Sequence, residues 1–98
     1  MEESTQFEPA APQMVAPRLA AARMALGLSK AAFADSIGVD RSSYTKIEKG
    51  QKPLLPRDAQ RIYQLYGIDM NFIYLGQVGG LPSSLSSKVM THLRGGTL

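Results

Sequence analysis

Apolar residues along this chain recur at the spacing of short helices, and glycine or proline breaks the pattern at close intervals. Leu19, Ala22, Arg23 and Leu26 fall on one helical face; Pro17 suits the first helical position, and Gly27 closes the run. Ser29 is placed as an N-cap for a second helix, Lys30 to Ile37, whose Ala31, Phe33, Ala34 and Ile37 lie along one side. Gly38 lacks a Cβ and can take the left-handed conformation that ends a helix, and Val39 follows as an apolar plug. Asp40 then caps a third helix, Arg41 to Lys49. After Gly50 and the loop QKPLLP, Pro56 opens a fourth, Arg57 to Tyr66, with Ala59, Ile62, Tyr63 and Tyr66 at helical spacing. Asp69 caps a fifth, Met70 to Leu75, turning Phe72 and Ile73 inward. No stretch alternates as a strand would, so the expected fold class is all-α with one core.

The third helix differs from the others in what it leaves outside. At about 100° per residue, Tyr44, Ile47 and Glu48 share one side, while Arg41, Ser42, Thr45, Lys46 and Lys49 share the other. A surface of long cations and small hydroxyls suits a polyanion: Arg can grip a guanine edge with two donors, and Ser and Thr reach bases or phosphates without crowding. Such a face is often no more than solvated surface. The preceding cap, helix and glycine turn decide between these readings, because together they form the helix-turn-helix pattern, whose second helix lies in the major groove.

The run RLAAARMALGLSKAAFADSIGVDRSSYTKIEKGQKP, Arg18 to Pro53, resembles the DNA-binding domain of phage repressor and Cro-like proteins, the XRE group, with no gap. The resemblance continues through RDAQRIYQLYGIDMNFIYLG to Gly76. It implies a five-helix λ-repressor-like bundle over residues 17–76 and a sequence-specific regulator of transcription; separately, the acidic start with no Lys or Arg before Arg18 is the opposite of a secretory signal, so a cytoplasmic protein is expected. In that reading Arg41, Ser42, Thr45 and Lys46 face base edges, while Ser29, Lys30, Ser43, Lys49 and Lys52 hold the DNA backbone. It also implies a structural salt bridge between Arg23 and Glu48, locking the first helix to the third. One position departs from the family pattern. Lys30 stands where relatives carry Gln, and it keeps a phosphate contact but not an amide bridge to the next helix.

The flanks are read separately. Residues 1–16 carry Glu2, Glu3 and Glu8, two prolines and no helical period, so a disordered arm is expected, too acidic to read DNA. Residues 77–98 comprise a flexible QVGGLP hinge and a sixth amphipathic helix, Ser83 to Leu93, with Leu81, Leu85, Val89 and Leu93 every fourth residue and Ser83 or Ser84 as N-cap. That helix is too short to stand alone. It covers its own core or packs on a second subunit, and the completeness of the five-helix domain favours the subunit.

Composition narrows the chemistry. The ninety-eight residues suffice for one small domain. Without the arm's glutamates, eleven Lys and Arg face five acids (Asp35, Asp40, Glu48, Asp58, Asp69), a surplus of six that favours a polyanionic partner. There is no cysteine, so disulfides and thiolate metal sites are excluded. His92 has no ligand-type neighbour, Tyr63, Tyr66 and Tyr74 read as core or interface rather than a stacking platform, and no nucleophile, base or phosphate loop suggests an enzyme. No cofactor, metal or membrane is expected. The expected partners are double-stranded DNA with a palindromic operator and a second copy of the chain, since one short helix reads too few base pairs. The alternative is an antitoxin or anti-activator whose terminal helix masks a protein partner.

Overall fold

The computed structural model describes residues 8–95, and among them every regular element is an α-helix: α1 (Pro12–Ala25), α2 (Lys30–Ile37), α3 (Arg41–Glu48), α4 (Pro56–Tyr66), α5 (Met70–Leu75) and α6 (Ser83–Leu93). Helices α2 to α5 keep the bounds the sequence implied to within a residue. Ser29, Asp40 and Asp69 cap α2, α3 and α5 through their side chains, as short polar residues at those positions should.

Helix α1 corrects the expected boundary. It starts at Pro12, with Ala11 extended before it, and Pro17 sits inside the helix. An internal proline cannot donate to the carbonyl of Gln13 and crowds it, typically at a cost of about 3 kcal/mol. Packing offsets this, because Val15 and Ala16 are 2% and 5% exposed. Gln13 also lies against the turn that ends α3: a Cβ on Gly50 would come within 3.2 Å of its Cα. Residues 12–16 therefore belong to the bundle rather than to an arm, and residues 1–7 of the expected arm lie outside the described residues.

Helix α1 is the centre of the molecule, touching α3, α5 and α6, and its pairing with α6 is the most extensive of all. Leu81 and Val89 are buried in the common core and Leu85 is packed against it, while Leu93 stays 37% exposed. Thus α6 docks on its own domain, against the expectation that it would seek a second subunit. The docking runs along α1, which is thereby covered by α3, α5 and α6. Pro82, not Ser83 or Ser84, occupies the N-cap position, and no side chain caps α6.

On the far side of the core, Phe33 joins three helices. Its ring meets Tyr44 of α3 edge-on at 5.5 Å between centroids, and Tyr66 of α4 at 5.4 Å. The buried stripe of α4 runs through Asp58, Ala59 and Ile62 to the partly buried Tyr66, and Tyr63, read as core or interface, lies outside the core at 56% exposure. The hydroxyls of Tyr66 and Tyr74 donate internally, to Ser36 Oγ at 2.6 Å and the Leu54 carbonyl at 2.7 Å.

Candidate nucleic-acid interface

The turn between α2 and α3 is built from a few fixed groups. Gly38 is left-handed at φ 71°, a conformation costly for residues with a Cβ. The amide of Val39 donates back to the Ala34 carbonyl at 3.0 Å, and Arg61 of α4 donates through Nη1 to the Ile37 carbonyl at 3.0 Å. The Ala34 and Ile37 carbonyls at the end of α2, which have no partner within the helix, thus each receive a protein donor. At the other side of the turn one carboxylate oxygen of Asp40 accepts from the amides of Ser42 at 3.1 Å and Ser43 at 3.2 Å and from the Ser42 hydroxyl at 2.6 Å. These bonds, the Ser42 hydroxyl first, hold the Asp40 carboxyl below its ordinary value of 3.8.

Helix α3 is seated by one face. Tyr44 is fully buried and Ile47 is 3% exposed. Beneath them, Arg23 of α1 donates from Nε to Glu48 Oε2 at 2.6 Å and from Nη2 to Oε1 at 3.2 Å, the two-pronged geometry that suits guanidinium and carboxylate. Its Nη1 reaches the Leu28 carbonyl at 2.9 Å, and the Tyr44 hydroxyl also donates to Glu48. The pair is nearly enclosed, with side chains 12% and 5% exposed. Donation to Glu48 raises the Arg23 pKa, and burial, followed by the bond to Glu48, pushes the Tyr44 phenol well above its ordinary value of 10.0. This cluster fixes α3 to α1.

The opposite face is open. Arg41, Ser42, Lys46 and Lys49 are exposed, and Ser43 and Thr45 are half-buried. Ser42 and Thr45 already use their hydroxyls locally, Ser42 to Asp40 and Thr45 to the Arg41 carbonyl at 3.1 Å. Lys52 arches back from the following loop and donates to Ser43 Oγ at 2.9 Å. Ser29 and Lys30 are exposed at the start of α2. Arg41 is paired: its Nε and Nη2 donate to the two oxygens of Asp35 at 3.0 and 2.6 Å.

Sequence reasoning passed over Asp35, Arg61 and Gln13. Asp35 and Arg41 meet across a glycine turn, six residues apart, and Arg61 crosses from another helix, so no helical period marks either. The burial of Asp58, 3.9 Å from the exposed Arg57 on the first turn of α4, was equally unmarked. An acid there still complements the helix dipole.

Among the described residues no group of His, Asp or Glu is arranged to hold a metal, and no helix is long and apolar enough to cross a membrane. What remains is a bundle that presents one basic helix behind a glycine turn, the arrangement of a DNA-binding helix-turn-helix protein. A family model described as helix-turn-helix matches residues 19–73, more than half of the chain. The chain belongs to that family, the XRE and Cro/C1-type regulators of transcription that bind double-stranded DNA. No curated protein and no solved structure matches it.

Proposed function

We propose that this protein is a repressor-like regulator that reads a palindromic operator as a homodimer, working in the cytoplasm and laying α3 in the major groove. The observation that carries the reading is the split of α3 into a seated face, Tyr44 and Ile47, and an open one, Arg41, Ser42, Lys46 and Lys49. Arg41, Ser42, Thr45 and Lys46 then meet base edges; Ser29, Lys30, Ser43, Lys49 and Lys52 hold the backbone. One helix of this length spans few base pairs, so two copies on half-sites about 34 Å apart supply the needed selectivity. With α6 engaged by α1, the exposed side chains Tyr63 of α4 and Met70 of α5, which line one surface cleft, are the area we assign to the second copy. Ser83, Ser84, Ser87 and Lys88 on the outside of α6 are polar, and Leu93 is its one exposed large apolar side chain, which leaves a partner-masking tail little apolar surface.

Selection of bound duplexes from a random pool tests this directly, and a palindrome with half-sites one helical turn apart is expected. Arg41→Ala should then relax the preference at one base pair per half-site. Lys49→Ala should weaken every sequence alike and lower the salt slope by about one per subunit. Enrichment of no sequence, or equal losses on all sequences from both variants, would overturn the reading.

A further inference from the structure

Arg41 is not free to point anywhere, and the way it is held carries information. A guanidinium has five N–H donors arranged on two usable edges. Asp35, in the last turn of α2, takes the side edge, accepting from Nε at 3.0 Å and from Nη2 at 2.6 Å. The remaining edge, formed by Nη1 and the second hydrogen of Nη2, offers two parallel donors. That is the fork that matches O6 and N7 of guanine in the major groove. Both partners are exposed, at 67% and 54% of their side chains, so the pair stands at the surface with its unused edge available.

Resting on the DNA-reading role proposed above, we infer that Asp35 is a positioning residue: it orients Arg41 for guanine and so sets the specificity of the operator at that base pair. The pairing also has an electrostatic consequence. Asp35 cancels most of the long-range charge of Arg41, leaving Lys46, Lys49 and Lys52 to attract phosphates. The arginine then contributes direction rather than attraction. Asp35→Ala reverses both effects, giving a mobile cation that is drawn to any phosphate and reads no base strictly.

The experiment uses the full chain and duplexes enriched from a random pool. Competition binding would compare the enriched duplex, single-base variants of it and an unrelated duplex, across a salt series. For the native chain a guanine dependent on Arg41 is expected, with discrimination in the range of about 5- to 150-fold that a good bidentate contact supplies. Asp35→Ala should bring that discrimination down to about twofold or less while binding to the unrelated duplex strengthens and its salt slope rises by about one per subunit. Asp35→Glu, which keeps the carboxylate, should restore part of the discrimination. In an Arg41→Ala background, Asp35→Ala should change the discrimination no further. A purely structural loss would weaken all duplexes together and would overturn the inference. So would unchanged discrimination in Asp35→Ala, an Arg41-dependent base other than guanine, or tighter binding with the preference intact, which would make Asp35 a competitor for the arginine. If the native chain enriches no duplex, the DNA-reading role falls and this inference with it; if it enriches an Arg41-dependent guanine that ignores Asp35, only this inference falls.

Discussion

Glu48→Ala should be the most damaging single substitution in the motif. It removes two of the three acceptors of Arg23, whose side chain is 12% exposed, and the acceptor of the fully buried Tyr44 hydroxyl. Breaking one side of an enclosed ion pair costs about 3 to 5 kcal/mol, because the surviving charge is left without compensation. Arg23 keeps its bond to the Leu28 carbonyl and a narrow opening to solvent, which places the cost near the lower end, about 3 kcal/mol. For a domain of this size each kcal/mol moves the melting point by about 4 to 8 °C, so a drop of about 12 to 24 °C is expected. Set against a typical total of about 5 to 15 kcal/mol, the variant folds but with little margin. Thermal and urea unfolding of the purified variant measure this. The control is the triple variant Arg23→Met, Tyr44→Phe, Glu48→Leu, which removes every polar group of the cluster and should recover most of the loss. A fall of less than about 4 °C for Glu48→Ala would mean that the pair behaves as a surface contact worth under about 1 kcal/mol, and the anchoring role would be refuted.

Two further outcomes follow from the packing and the caps. Val89→Ala removes about two methylene equivalents from a fully enclosed site, about 1.6 kcal/mol by transfer and about 2 kcal/mol with the residual cavity. The loss relative to the native chain should be the same at every protein concentration; a loss that varies with concentration would mean that α6 docks between copies. Asp40 and Asp35 are both held below the ordinary value of 3.8, by the Ser42 hydroxyl and by Arg41 respectively. A carboxyl depressed in the folded state stabilises above its unfolded pKa, and that contribution is lost as pH falls through the folded value. Urea midpoints should therefore hold from neutrality to about pH 5 and fall below about pH 4, with a shallower acid limb in Asp40→Asn. A steepest loss between about pH 6 and 7 contradicts the assignment.

The helix-turn-helix was legible in the chain because each of its parts is local. Ser29 and Asp40 bond amides two or three residues ahead, Gly38 sets one dihedral pair, and the faces of α3 follow from one period. The Arg23 and Glu48 contact is long-range, and family resemblance rather than periodicity supplied that expectation. What escaped was long-range and unassisted by resemblance. Pro17 looked like a helix start because a proline there is favourable locally, yet burial of Val15 and Ala16 outweighs its internal cost. On α4 the helical spacing fits two neighbouring stripes, and the fold buries the one through Asp58 and Ile62 and leaves Tyr63 outside the core. At the interface, residue types told which side chains face outward but not that Arg41 is already held by a neighbour.

The contact between Gly50 and Gln13 bears on how the protein can be trimmed. A fragment cut to the matched family segment would begin past both Gln13 and Val15, and would end before α6. It would keep every residue of the reading motif while discarding the backbone against which the last turn of α3 rests. The smallest autonomous unit of this chain is thus larger than the motif's own boundaries, and a purification handle belongs ahead of residue 8 rather than fused onto Pro12.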